Sequence, residues 1–251
     1  MLNSEERMIK ARAKLMKGNV GMATMLLKLT LIEDNERCQT MATDGINIYW
    51  NDEFVKSITD DEIQSVLVHE ASHVIWEHPL RKGKRIHELW NIATDYVINS
   101  WIAYDLGMVL PEGGLLDRQY HRQSAEQVYR TLSNDDEALD DALEQLESNS
   151  NDDDSDSQNG DSDSDSDSDN SDSDATGNGQ GKSLEEKLAD VKLPSGEVWM
   201  PTNDEGKELS PSEMAELQEE LQRTILMADK LESIGNGSDS SLRGAVQKLN
   251  E

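Results

Sequence analysis

Between Ser148 and Gly181 the chain is built almost entirely from Ser, Asp, Asn and Gly, and its one apolar side chain is Ala175. Such a stretch buries too little surface to offset the entropy of ordering it, and its like charges repel, so it is predicted to be disordered. Any core must therefore come from the sequence on either side. The charge follows the same division. Of the 52 acidic residues, 18 lie between Asp135 and Asp174, where there is no Lys or Arg. The formal net charge of -29 falls to -11 for the rest, 34 acids against 23 bases. Asp161-Ser-Asp-Ser-Asp165 opens like a calcium loop but lacks its glycine at position six and glutamate at position twelve, which excludes an EF-hand. A solvated spacer is the reading adopted for this run. The chain then divides into residues 1–135, a folded domain; 136–182, the disordered Asp/Ser-rich insert; and 183–251, a helical segment expected to pack on the first domain.

The same composition narrows the function. No basic stripe offers the clustered Lys and Arg that phosphate contacts need, so no nucleic-acid partner is expected. No run approaches the 18 or so apolar residues of a membrane span. The polar start, Met1-Leu-Asn-Ser-Glu-Glu-Arg7, has no secretory hydrophobic region, and a lone Cys38 can form no internal disulfide. The cytoplasm is the expected compartment, that of the host if the protein is phage-encoded.

Apolar residues recur at helical spacing over residues 4–32, with Gly18 and Gly21 predicted to split that stretch in two. Two short strand-like runs follow, Cys38–Thr43 and Ile46–Trp50, joined by Asp44-Gly45, a strong hairpin signal. Thr59-Asp-Asp-Glu62 has the form of a capping box and opens a helix to about Trp76, closed by Pro79 and Gly83. A second helix is predicted from about Glu88 to Asp105. A short one is capped by Ser124-Ala-Glu-Gln127 and runs through Leu132. Helical pattern resumes at Leu184, between about Pro211 and Leu231, and weakly over Leu242–Leu249.

One motif carries a specific chemical meaning: His69-Glu70-Ala71-Ser72-His73. Four residues apart on a helix, the two imidazoles lie one turn above the other and can grip one zinc ion, with Glu70 placed to take a proton from a metal-activated water. The plainer alternative is a pair of histidines on an amphipathic helix. Catalytic zinc takes a third protein ligand, expected on the next helix. Asp95 is the candidate, because a carboxylate among Ile92, Ala93, Tyr96, Val97 and Ile98 is costly unless paired. Asn99, one turn later, is then expected to orient a ligand imidazole. His78 follows His73 by five residues, which turns it away from the metal face; it, Glu77, His87 and Glu88 read as polar surface or capping groups, with Glu77 or His87 in reserve as ligands. Tyr120 and His121 are candidate oxyanion donors, and Trp90 and Tyr96 read as core aromatics.

These residues, with Thr43-Asp-Gly45, Tyr49-Trp-Asn51, Phe54-Val55, Leu89-Trp-Asn-Ile-Ala93 and Ser124-Ala-Glu126 with Tyr129, resemble the putative metallopeptidase domain family of bacteria and their phages, related at motif level to gluzincin-type zinc peptidases. The resemblance covers roughly residues 1–135 and, more weakly, the helix around Arg223–Lys230. It implies a further C-terminal domain in longer relatives. Gluzincins use Glu as third ligand with Asp four residues later; Asp95 and Asn99 stand at those positions here. By analogy, the hairpin at Asp44-Gly45 would be an edge strand beside the active helix, open to an extended peptide.

The resulting expectation is a mainly helical α+β, zincin-like metallopeptidase domain with a small hairpin or edge strand and a disordered acidic insert. Its function would be zinc-dependent hydrolysis of a peptide or protein substrate. The rival is a non-catalytic zinc-binding interaction module, a pseudo-peptidase or adaptor whose acidic loop binds a partner.

Overall fold

A computed structural model describes residues 2–18, 20–148, 183–189, 191, 197–203 and 207–236. It is mainly helical with one small sheet. Helices α1 (Ser4–Gly18) and α2 (Val20–Lys28) are followed by strands β1 (Thr30–Glu33), β2 (Met41–Thr43) and β3 (Asn47–Trp50). Helices α3 (Asp52–Ser57), α4 (Asp60–Ile75), α5 (His78–Arg81) and α6 (His87–Tyr104) come next. A 3-10 turn at Arg118–Tyr120 leads to α7 (Ala125–Asn134) and α8 (Asp136–Ser148). Beyond the insert lie α9 (Leu184–Leu188), β4 (Glu197–Val198) and the long α10 (Pro211–Asn236).

The centre of the molecule is the pair α4 and α6. Every residue of α6 from Leu89 to Ile102 is buried, as are nearly all of α4 from Ile63 onward. A helix buried on all sides lies inside the core rather than on its surface. Its apolar side chains contribute on the order of 1.5–3 kcal/mol each. The start of α4 is fixed as its sequence indicates: Thr59 Oγ1 accepts from the Glu62 amide, and the Glu62 carboxylate accepts from the Thr59 amide at 2.7 Å. Helix α1 adds a clamp. Arg7 donates to Asp60 and to the carbonyls of Val55 and Ile58, fastening the acidic first turn of α4.

The sheet order is β1-β3-β2-β4. β1 and β3 are parallel, β2 and β3 antiparallel with Ala42 opposite Tyr49, and β4 runs parallel to β2 with Ala42 opposite Glu197. A hairpin joins β2 and β3, but not by the two-residue turn expected at Asp44-Gly45: Thr43 pairs with Ile48, Ile46 lies outside β3, and of Asp44 and Gly45 only Gly45 takes a positive φ, +89°. The Asp44 carboxylate holds the turn instead, accepting from the amides of Ile46 and Asn47.

Four expectations are corrected. The hairpin is no edge strand: β3 is flanked by β1 and β2 by β4, so its backbone groups are already paired on both sides. Residues 30–32, expected to end the helical stretch, lie instead in strand β1, because pairing with β3 overrides their helical spacing. Residues 38–40 lie outside β2. The start of the insert is helical: in α8, Leu139, Ala142 and Leu146 fall on one face and are buried against the core, α7 being the neighbouring helix. The remainder of the insert, 149–182, and the segment Leu242–Leu249 lie outside the described residues. After the insert, α10 packs across α2 and reaches α4, and β4 joins the sheet.

Candidate metal centre

Helix α4 places His69 and His73 one turn apart, and α6 places Asp95 and Asn99 one turn apart on the side facing them. His73 Nε2 lies 2.9 Å from His69 Nε2; Asp95 Oδ1 is 3.3 Å from His73 Nε2 and 3.5 Å from His69 Nε2. The three residues form a group of potential metal ligands whose donor atoms all fall within 4.8 Å of one another, and all three are buried. Neither oxygen of Asp95 has a hydrogen-bonding partner, although the residue is fully buried in the middle of an apolar helix. An ionised carboxylate in such a place is expensive unless a cation neutralises it. The donor set, two imidazole nitrogens and a carboxylate oxygen turned toward one point, fits a metal ion.

Asn99 holds the first imidazole. Its Nδ2 donates to the Leu115 carbonyl at 2.9 Å, which fixes the amide so that Oδ1 accepts from His69 Nδ1 at 2.8 Å. The Leu115 carbonyl is brought there by the loop after α6. In that loop Gly114 sits close enough that a Cβ would meet the Pro111 carbonyl at 3.4 Å. With Nδ1 protonated and committed to Asn99, His69 turns Nε2 to the triad.

Burial opposes a positive charge on both rings. At His69 the carboxylate of Asp95, aided by Glu70 and the Asn99 bond, outweighs that cost, and the pKa is pushed up to about 9. At His73 burial prevails over the contact with Asp95, and the pKa is pushed down to about 3. Burial and the Asp95 carboxylate thus pull the two imidazoles in opposite directions. A proton on either ring competes with a metal ion for the same lone pair. Glu70, on the same turn as His69, is completely buried.

His78 is not the surface group expected. It is buried, and its Nδ1 lies 3.1 Å from Nδ1 of His73. Helical extrapolation turned it away, but the chain reverses after Trp76: Glu77 adopts φ 53° and ψ 32°, the left-handed region. Nothing short of that turn would have revealed it. Glu77 serves as no ligand; its carboxylate accepts from Gln218 and Gln222 of α10. His87 lies 3.4 Å from Asn91, at the start of α6. Tyr120 is buried against Tyr96, and His121 lies beside Asp105 and the Tyr104 ring, so both have structural neighbours outside the triad. Trp90 and Tyr96 are core aromatics as expected.

The structure is thus a mainly helical α+β domain with a His-His-Asp cluster that could hold a metal ion between its two central helices. The chain matches the putative metallopeptidase domain family over residues 3–232 and belongs to that family. The match runs into α10, further than the residues 1–135 that chiefly carry the resemblance in sequence. No curated protein and no solved structure matches the chain. Among the described residues, no helix is long and apolar enough to cross a membrane.

Proposed function

We propose that the chain is a zinc-dependent metallopeptidase, with His69, His73 and Asp95 holding the ion, Glu70 as general base and Asn99 orienting His69. The observation that carries this reading is the triangle of donor atoms. Ligands about 2.0–2.1 Å from a tetrahedral zinc stand roughly 3.3–3.4 Å from one another. The separations of 2.9, 3.3 and 3.5 Å bracket that value before any ion is added. Two imidazoles and one carboxylate are also a donor set that suits zinc, and three protein ligands leave a fourth position open, as catalytic sites require. The buried Cys38, which forms no disulfide, agrees with a cytoplasmic setting.

Zinc bound there supplies a Lewis acid and lowers the pKa of water to about 7. The rest of the work falls to the chain's own groups. Glu70 is carried on the same buried turn as His69, and takes up a proton before delivering it to the leaving amine. Asp95 brings a negative charge that balances the ion in a region where water does not. Asn99 keeps the His69 proton on Nδ1, so that Nε2 stays available.

Chelator-sensitive cleavage of a peptide library tests the proposal. Glu70→Gln is expected to retain the metal and to lose turnover by about 10²–10⁴-fold. Unchanged turnover in that variant overturns the mechanism. The second reading, a zinc-stabilised interaction module, draws on the near-complete burial of His73, Glu70 and Asp95. Metal uptake without any cleavage would favour it.

A further inference from the structure

We infer that His78 is the positioning residue of His73, accepting a hydrogen bond from its Nδ1–H and so presenting its Nε2 to the metal. The inference rests on the reading of His73 as a ligand and goes beyond it, because it names a third histidine with a task of its own.

The argument starts from which nitrogen of His73 faces what. Its Nε2 points to His69 and Asp95, and its Nδ1 lies 3.1 Å from Nδ1 of His78. A ligand imidazole gives its lone pair to the ion at one nitrogen and carries its proton at the other. For His73 that proton is on Nδ1. His78 must then offer a lone pair at Nδ1 and keep its own proton on Nε2. The tautomers of the two rings are therefore coupled: one choice at His73 dictates the other at His78. His69 is supported differently, by the Asn99 amide, which fixes its proton on Nδ1 independently.

His78 is built into place rather than left to find it. Its ring meets Trp76 and Trp90 edge-on, with centroids 5.7 and 5.9 Å away, and makes an edge contact with His73 itself. Its carbonyl accepts from Trp90 Nε1 at 3.0 Å, which ties α5 to α6. The left-handed Glu77 that turns the chain back is secured in turn. Its carboxylate accepts from Gln222 at 3.1 Å and from Gln218 at 3.0 Å, both on α10. A non-glycine residue in this conformation persists where its surroundings over-determine it, and such residues cluster at functional sites. Here the turn brings His78 against His73 on the Nδ1 side, away from His69 and Asp95.

The test uses the full chain, stripped of metal and titrated with Co²⁺ alone, followed by visible absorption, and with Zn²⁺ by competition against a chromophoric chelator. His78→Leu, which fills the space without an acceptor, is expected to weaken binding of both ions by about 10–100-fold and to shift the Co²⁺ bands. His78→Gln, which restores an acceptor oxygen, is expected to recover most of the affinity. On the zinc-loaded wild type, long-range ¹H–¹⁵N imidazole spectra should show His73 protonated at Nδ1 and His78 protonated at Nε2 only. That measurement decides the matter even if His78→Leu does not fold. Wild-type affinity and unchanged bands in a folded His78→Leu protein, or a proton on Nδ1 of His78, would overturn the inference while leaving the triad intact. A wild-type chain that takes up neither ion sinks the metal-site reading itself, and this inference with it.

Discussion

His69 and His73 stand one turn apart on α4, yet the structures that steady them have little in common. On the His69 side the support is Asn99, a residue of a regular helix, one turn after Asp95, whose amide is pinned by the Leu115 carbonyl. On the His73 side the support is another imidazole, delivered by a left-handed Glu77 and clamped by a helix some 140 residues further on, the separations being 141 and 145. The first arrangement needs helical periodicity and little else. The second depends on a chain reversal and on long-range packing. Two neighbouring side chains with the same chemistry can thus be held by devices of different reach.

That contrast can be broken most severely at the point both sides share. Asp95→Ala is expected to abolish stoichiometric Zn²⁺ uptake, measured by competition titration, while the metal-free fold survives, since the cost of burying a carboxylate whose oxygens accept no hydrogen bond is removed. Next in size is Asn99→Leu. It removes the partner of His69 Nδ1 and should weaken Zn²⁺ binding by about 10–100-fold. If this variant and His78→Leu cost similar factors, the two supports are equivalent despite their different construction. Replacing both Gln218 and Gln222 by Ala probes the reach of the His73 side alone. Each bond to the buried Glu77 carboxylate should be worth about 1.5–3 kcal/mol in denaturant unfolding, and metal affinity should fall with it. An unchanged affinity in a destabilised protein would show that α10 steadies the fold without steadying the site. The smallest effect is expected from Thr59→Ala, which removes the cap of α4 well away from the triad. About 1 kcal/mol of stability should be lost with metal binding intact.

The same contrast explains what could be read in the sequence. His69, His73, Asp95 and Asn99 lie on two helices whose apolar spacing is written plainly, and the period of 3.6 puts each pair on one face of its helix. The capping boxes at Thr59 and Ser124 were equally legible, because they are local. His78 was not, because no residue type announces that Glu77 will turn left-handed. The interior position of the hairpin was hidden too. It depends on β1, whose Thr30-Leu31-Ile32 continues a helical pattern, and on a two-residue β4 beyond the insert. Helix α8 was obscured by its own charge: its acids place it inside the acidic tract, while Leu139, Ala142 and Leu146 quietly keep helical spacing.

The closing of the fold by β4 and α10 has one more consequence. Both elements follow residues 149–182 in the chain, and both dock on partners that precede them: β4 on β2, and α10 on α2, α4 and Glu77. A single backbone cut between Ser148 and Ser183 would leave two polypeptides joined by a shared sheet and a shared core. The shorter would then behave as a subunit, and whether it was bound would govern how firmly the end of α4 is held.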